Sequence, residues 1–255
     1  MIERIPWSST EEFQRRFVAT SRPVLFTGLV DRWPAHRRWS LDDLAQRFGD
    51  AQVLVGRTED ARLVVSAERG VEQSEMELAT FLDALREGRR DLYLISPVEE
   101  RIPALLEDVE EPAPYRDARW KSARLWLGPA GVQTPLHHDL PENLYAQVFG
   151  RKRVRLVPRS MRRRVHPYSR FSAAPNFSPV DAWKPDLERF PRFREVRPLD
   201  CVVEPGECLY IPRLWWHQVE SLETSASLNL WFANGWTALL AAASQRYARW
   251  RAMRP

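Results

Sequence analysis

The spacing of apolar residues changes near residue 90 and divides the chain into two parts. Before that point, apolar residues recur three to four positions apart in some segments and run together or alternate in others. The first spacing predicts amphipathic helices and the second predicts β-strands. Ser9, Ser40 and Ser74 each stand three residues before an acidic side chain, a pattern typical of helix N-termini. We therefore expect three helices beginning at these serines, with strands at residues 23–27, 52–55 and 62–66.

Beyond residue 91, short segments of period-two alternation are joined by turns that contain proline and glycine. The strands expected there are residues 91–95, 122–127, 143–149, 152–157, 207–211, 217–221 and 226–232. So many short strands in one block predict a sandwich or a barrel. Residues 159–200 are irregular, rich in proline and arginine, and longer than a simple connection, which favours a lid or a substrate-binding insert.

Residues 235–254 return to helical spacing. Their apolar stripe consists of Trp236, Leu239, Leu240, Ala243, Tyr247, Trp250 and Met253. A terminal helix on a compact barrel has little left to pack against, so the stripe predicts a homodimer. The alternative is that the helix folds back over its own barrel.

Composition narrows the class of protein. The chain has 255 residues, of which 44% are hydrophobic, so it can bury a large core and is not expected to be disordered. No apolar run approaches the ~20 residues that cross a bilayer, and residues 1–7 do not resemble a signal peptide. The two cysteines, Cys201 and Cys208, exclude a disulfide framework and a four-thiolate zinc site. We expect reduced thiols and a cytoplasmic location.

Charge adds a weaker indication. The net charge is +4, and basic side chains cluster at residues 151–153 and 162–164. Such clusters favour the approach of nucleic acid or acidic peptide, although a basic solvated surface is the commoner explanation.

His137 and Asp139 form the most informative pair. Residues two apart on an extended segment project from the same face and can bind one ion. His217 begins a predicted strand and is placed to add a third ligand. Two imidazoles and one carboxylate on one face of an octahedron suit the non-haem Fe(II) oxygenases. The spacing alone is weak, because a His-x-Asp pair is often structural or incidental.

Lys152, one of only three lysines, strengthens this hypothesis. Alternation along residues 151–157 places Lys152 on the Val and Leu face and the arginines on the other face. A buried cation is costly unless it is paired, so an acid or an anionic ligand must meet it. An internal salt bridge remains the alternative to a ligand.

Long motifs carry a resemblance to a known family. They are residues 134–139 (TPLHHD), 143–153 (NLYAQVFGRKR), 205–217 (PGECLYIPRLWWH) and 227–231 (SLNLW), with further matches at 23–28, 33–35, 177–181 and 185–191. They resemble the cupin-like JmjC group of 2-oxoglutarate oxygenases, including the hypoxia-pathway asparaginyl hydroxylase and small bacterial cupin-like proteins. The resemblance spans nearly the whole chain.

The resemblance implies a mainly β fold: a double-stranded β-helix, or jelly roll, in a single domain. Residues 1–90 would form an α/β cap, 91–234 the β core with the insert 159–200, and 235–255 a C-terminal helix. Fe(II) would lie at one mouth of the barrel and 2-oxoglutarate deeper inside. The implied iron ligands are His137, Asp139 and His217.

The same resemblance assigns the co-substrate pocket. Lys152 matches the residue that pairs with the far carboxylate of 2-oxoglutarate, and four further residues match the pocket lining: Tyr93, Thr134, Asn143 and Asn229. Trp231 matches an aromatic beside the substrate. His138 departs from the family pattern, which usually has tyrosine, and alternation turns it away from the iron.

The implied activity is hydroxylation of a C–H bond with release of succinate and CO₂. A peptide or protein side chain is the favoured substrate, and RNA is possible. The alternatives are hydroxylation of a tRNA base or a small molecule, demethylation by the same chemistry, and a non-catalytic metal-binding cupin module.

Overall fold

A computed structural model of the chain describes residues 2–252, without the side chains of residues 247–252. Sixteen strands are present in this part. They are β1 (Glu3–Pro6), β2 (Val24–Thr27), β3 (Gln52–Glu59), β4 (Arg62–Leu63), β5 (Val65–Ser66), β6 (Gly70–Val71), β7 (Gln73–Glu77), β8 (Leu92–Pro97), β9 (Trp120–Gly128), β10 (Gln133–His138), β11 (Glu142–Phe149), β12 (Lys152–Val157), β13 (Leu199–Val203), β14 (Cys208–Ile211), β15 (Trp216–Ser221) and β16 (Ser225–Ala233).

The helices are mostly short and lie outside the β core. They are α1 (Thr10–Phe13), α2 (Pro34–Arg38), α3 (Leu41–Phe48), α4 (Leu78–Arg86), α5 (Val98–Arg101), α6 (Ala113–Arg116) and α7 (Gly235–Ala252). A π-helical turn at Gln14–Val18 extends α1, and 3₁₀ turns occur at Val30–Arg32, Pro103–Asp108, Arg159–Met161 and Pro191–Glu195.

The strands form two layers joined through β3 and β4. The first layer runs in the order β1-β2-β14-β11-β16-β9-β8-β3, with β7 on β3, and the second runs β4-β10-β15-β12-β13. Apart from β1·β2 and β4·β10, the pairs in these layers are antiparallel. The double-stranded β-helix predicted from the resemblance is confirmed.

Alternation along β11 separates the barrel interior from the outer core. Leu144 and Ala146 point outward into the large apolar cluster that also contains the cap helices. Tyr145 points inward and packs with side chains of the opposite layer, among them Val154 and Val219. One strand therefore lines the site with one face and anchors the cap with the other.

The cap begins as the sequence predicts and then departs from it. Ser9 and Ser40 accept hydrogen bonds from the backbone N–H groups of Glu12 and Asp43, which confirms both N-caps. The helix predicted to open at Ser74 is wrong there. Ser74 lies in β7, which pairs with β3, and α4 begins only at Leu78 without a side-chain cap. Sheet pairing overrides the local capping pattern.

The insert covers one side of the second layer. Its apolar residues, including Val165, Val180 and Phe193, pack with Leu136 and Trp216 of the barrel. An isolated bridge joins Phe177 to His137, and the backbone N–H of Ser178 bonds to the carbonyl of Leu136. The insert thus packs along β10, and its last residues, 199–200, already belong to β13.

Helix α7 contacts the barrel through small residues. Ala238 and Ala241 are buried in a cluster with Ala233 and Trp120. The larger residues Trp236, Leu239 and Leu240 are exposed, and the predicted stripe residues Tyr247, Trp250 and Met253 lie outside the described side chains. In the described part of the chain, no helix combines the length and apolarity that a membrane span requires.

Candidate metal centre and its two cavities

Strands β10 and β15 bring the two histidines together. In their antiparallel register, His137 lies opposite His217, and an irregularity of the pairing falls between Thr134 and His137. Asp139 follows directly after β10, and its backbone carbonyl accepts a hydrogen bond from the N–H of Leu214. The loop before β15 is therefore tied to the loop after β10, and all three side chains share one mouth of the barrel.

The three side chains are close enough to share one ion. Their ligand atoms all lie within 4.8 Å of one another. Nε2 of His217 is 3.6 Å from Oδ2 of Asp139, and the two imidazole rings are 4.1 Å apart between centroids. Two ligands at the usual bond lengths of about 2.0–2.2 Å lie at most about 4.4 Å apart. The 3.6 Å separation of His217 and Asp139 already meets this limit, and small side-chain shifts would bring the whole set within it.

Backbone carbonyls orient both imidazoles. Nδ1 of His137 lies 2.8 Å from the carbonyl oxygen of Pro135, and Nδ1 of His217 lies 3.1 Å from that of Trp215. A proton held on Nδ1 leaves the Nε2 lone pair free to bind a metal. Burial lowers the pKa of both histidines, that of His137 to about 4, so both rings are neutral near pH 7 as ligation requires.

Two donors fix the carboxylate of Asp139. The side-chain amide of Asn143 donates to Oδ2 at 3.1 Å, and the indole N–H of Trp231 donates to the same oxygen at 3.0 Å. The predicted roles of Asn143 in the co-substrate pocket and of Trp231 beside the substrate stay predictions; in the structure both side chains bond to the carboxylate of Asp139.

Lys152 is fully buried and is surrounded by neutral groups. Its ammonium donates to Ser227 Oγ at 3.0 Å, to Tyr93 Oη at 3.2 Å and to the carbonyl of Trp126 at 3.4 Å. No carboxylate pairs with it among the described residues, so the internal salt bridge is not seen. Burial lowers the pKa of Lys152 to about 7, the mark of a cation that lacks a counter-charge.

A small inner cavity connects Lys152's partners to the histidines. Tyr93, Thr134, His137, His217 and Asn229 line it, as do Trp126, Tyr145 and Val219. Its volume is only about 10 Å³, so a five-carbon dicarboxylate requires the lining side chains to move. Gly128 permits the close approach of Tyr93: a Cβ there would lie 2.4 Å from Cδ2 of the ring.

Sequence reasoning missed three lining residues of this cavity: Trp126, Tyr145 and Val219. It also missed Ser227, which donates to the Tyr145 hydroxyl at 3.1 Å while accepting from Lys152. A signal was present for Tyr145 and Ser227. Tyr145 lies two residues after Asn143, and Ser227 lies two residues before Asn229, so each shares a strand face with a predicted site residue.

Asp139 also lines a larger outer cavity. It has a volume of about 350 Å³, and its lining includes Arg124, His138 and Trp231. His138 points away from the triad as predicted; its ring packs edge-on against Trp216 at 4.7 Å, and its Nδ1 is buried without a hydrogen-bond partner among the described residues. Arg124 was not singled out from the sequence.

The donor set fits iron and 2-oxoglutarate. The triad supplies two neutral imidazoles and one carboxylate, and leaves positions on the metal for other ligands. Buried Lys152 has no anionic partner among the described residues. A dicarboxylate bound beside it would meet the need of the ammonium for a counter-charge.

Together, the barrel and the facial triad define a cupin-type metalloprotein. Comparison with known proteins then identifies the family: the cupin-like domain matches residues 10–237, and the chain belongs to this family. Three relatives are similar to it. The lysine-specific demethylase JMJ30 of Arabidopsis thaliana is 34% identical over 241 residues, and the lysine-specific demethylase 8 of Xenopus tropicalis is 30% identical over 239. The human bifunctional peptidase and (3S)-lysyl hydroxylase JMJD7 is 31% identical over 259 residues.

The relatives differ in how much of their length is matched. The first two alignments cover 91% of this chain but only 55% and 53% of the relatives, so the chain spans about half their length. The alignment with the human hydroxylase covers 86% of this chain and 80% of that protein. The family match at residues 10–237 includes the triad and the lining of the inner cavity, and the relatives' own activities are not transferred by similarity alone.

Proposed function

We propose that the protein is an Fe(II)- and 2-oxoglutarate-dependent dioxygenase that hydroxylates a C–H bond of a peptide or protein side chain. One observation carries this proposal: the two histidines of a complete His-Asp-His triad line an inner cavity, and Tyr93 of the same lining contacts a buried lysine that has no carboxylate partner among the described residues. The names of the relatives, which include a lysyl hydroxylase and lysine demethylases, support a protein substrate.

Bound iron, 2-oxoglutarate and O₂ would supply the oxidation, with succinate and CO₂ as co-products. The protein holds and orients these groups. His137, Asp139 and His217 would bind the metal, with Pro135, Trp215, Asn143 and Trp231 fixing their orientation. Lys152 would pair with the far carboxylate of the co-substrate.

A non-catalytic metal-binding module is the main alternative. A buried cation without a partner destabilises the fold unless an anion binds. A purely structural metal site would not require such a cation. Demethylation uses the same site, because the outcome depends on which carbon the substrate presents. A tRNA base or a small molecule would also be oxidised by the same chemistry. The complete triad and Lys152 together favour an enzyme.

The test is release of succinate from 2-oxoglutarate by the full chain, with and without Fe(II). We expect turnover that requires iron and falls by at least about a hundredfold in Asp139→Ala, since the loss of one of three ligands weakens the metal site. Asp200→Ala, at an exposed aspartate on β13, is the matched control. Near-normal turnover in Asp139→Ala, or none in the wild type, would overturn the proposal.

Two further statements belong to this proposal. The exposed large residues of α7 support a homodimer, and the free thiols of Cys201 and Cys208 support a cytoplasmic location. Burial raises the pKa of both thiols, that of Cys201 to about 12, so neither is a reactive nucleophile.

A further inference from the structure

The outer cavity carries a positive charge that the oxidation chemistry leaves unused. Arg124, on β9, lines it together with Trp231 and Asp139, and its guanidinium lies 5.3 Å from the centre of the Trp231 ring. The Nε atom of Arg124 is buried and has no hydrogen-bond partner among the described residues. A buried guanidinium donor without an acceptor is costly, and a ligand that supplies one recovers that cost.

The charges of the proposed complex balance without Arg124. Iron contributes +2 and Lys152 +1, while Asp139 contributes −1 and 2-oxoglutarate −2. Arg124 is therefore not needed to neutralise these groups, and it lines the outer cavity beside Trp231. Burial lowers the pKa of Arg124, and the carboxylates of Asp139, Glu100 and Glu99 oppose this shift.

The cavity provides no counter-charge for a cationic substrate. Among the described residues that line it, Asp139 is the one carboxylate, and that group is committed to the metal and to its two donors. Glu99 bonds to the backbone N–H of Ala123 and the hydroxyl of Tyr115, outside this lining. A lysine or arginine side chain in the cavity would face Arg124 with no free acid to pair with.

The insert that forms part of the cavity wall carries a net positive charge. Pro175 and Asn176 of the insert form part of the wall. Residues 159–200 contain ten basic and five acidic side chains, a larger excess than the +4 of the whole chain. Charge of one sign around a concave site raises the local concentration of oppositely charged ligands.

We infer that Arg124 determines substrate specificity and that the oxidised group belongs to a peptide segment presenting a carboxylate, from aspartate or glutamate, to the outer cavity. The inference rests on the proposed function and sets this chain apart from relatives whose names specify lysine. A peptide is favoured over nucleic acid because a phosphate backbone needs a groove of several cations, whereas Arg124 is the one cation among the described residues that line this cavity.

The test uses four capped pentapeptides, Gly-Gly-X-Gly-Gly with X as Asp, Glu, Lys or Arg. They are titrated calorimetrically into the full chain loaded with Mn(II) and 2-oxoglutarate. We expect the acidic peptides to bind at least roughly tenfold tighter than the basic ones, a ratio that corresponds to one partly buried charge pair. Arg124→Gln should abolish the preference and Arg124→Glu should reverse it.

Two variants serve as controls. Arg90→Gln, at an exposed arginine remote from the cavity lining, should keep the wild-type preference. Arg124→Lys keeps the charge and should keep a reduced acidic preference, which covers the case in which Arg124→Gln does not fold. Melting curves identify unfolded variants.

Several results would overturn the assignment. The first is equal binding of all four peptides, which includes the case in which none binds. The second is an acidic preference that survives Arg124→Gln. The third is Arg124-dependent binding of a single-stranded RNA octamer that is tighter than the binding of any peptide. Succinate release without any peptide is measured separately, so that failure of the specificity proposal can be distinguished from failure of the enzyme proposal. If it requires iron and Asp139 while the peptides show no preference, the specificity assignment fails and the enzyme assignment stands.

Discussion

At Lys152 the protein buries a positive charge among a phenol, a hydroxyl and a carbonyl. Tyr93 lines the inner cavity itself, and Ser227 donates a hydrogen bond to Tyr145, which also lines it. Both partners therefore link Lys152 to that cavity. Neutral donors and acceptors solvate an ammonium only partly, so the ligand-free site is poised for an anion. The same residue separates the co-substrate hypothesis from a purely structural one.

We predict that Lys152→Met raises the concentration of 2-oxoglutarate needed for half-saturation by two to four decades. Breaking one buried charge pair costs about 3–5 kcal/mol, which corresponds to that range. Lys152→Arg should also bind poorly, because the forked guanidinium is bulkier than an ammonium. The measurement is a titration of 2-oxoglutarate against the Mn(II)-loaded protein.

The melting temperature of the ligand-free protein provides a second readout. Removing an unpaired buried cation should leave the stability unchanged or raise it, whereas removing half of a salt bridge would lower it. Lys121→Met, at a partly exposed lysine that pairs with Glu111 at 2.8 Å, is the control and should leave the affinity unchanged. Unchanged 2-oxoglutarate affinity in folded Lys152→Met would mean that the anion site lies elsewhere.

Site residues could be predicted from the sequence where the chemistry is local. His137 and Asp139 stand in one short motif, and Lys152 is the single non-arginine cation of its strand. Arg124 had no such signal, because its role depends on strand β9 lying beside β16, where it pairs with Asn229. That register depends on packing across the whole barrel and cannot be predicted from the residues around Arg124.

Individual elements show the same division between local and distant forces. The capping pattern is similar at Ser40 and Ser74, yet only Ser40 begins a helix. Residues 73–77 instead pair antiparallel with β3, and the hydrogen bonds between the two strands satisfy their backbone groups. A local pattern predicts an element only where no partner strand competes for the same backbone.

This difference predicts opposite outcomes for two serine substitutions. Ser40→Ala removes the acceptor of the Asp43 N–H and should lower the free energy of unfolding by about 1 kcal/mol. Ser74→Ala, on an exposed strand position, should change it by less than about 0.5 kcal/mol. Urea denaturation of both variants beside the wild type measures the two values. Equal losses would contradict the assignment of Ser74 to a strand.

At the scale of the whole molecule, the barrel is covered on two sides but not on the third. The cap helices cover the first layer and the insert covers the second. Helix α7 covers only Trp120 and neighbouring small residues, and leaves Trp236, Leu239 and Leu240 at 63%, 73% and 44% exposure. The alternative in which α7 buries its large residues on its own barrel therefore does not hold for these three residues.

We predict that these residues join two copies of the chain. Exposed apolar area contributes roughly 25 cal/mol per Å² when it is buried, and three large side chains used twice by a two-fold axis supply a substantial contact. Light scattering at micromolar concentration should give a dimer for the wild type and a monomer for the double variant Trp236→Gln, Leu239→Glu.

The double variant tests the interface more cleanly than truncation before Gly235, because truncation would also remove Ala238 and Ala241 from Trp120. Phe171→Ser, at an exposed apolar residue of the insert, is the matched control and should remain dimeric. Because α7 also contributes Ala241, Ser244 and Gln245 to the outer cavity, loss of the dimer should weaken peptide binding more than 2-oxoglutarate binding. A wild-type protein that stays monomeric at micromolar concentration would show that α7 is covered by something other than a second copy.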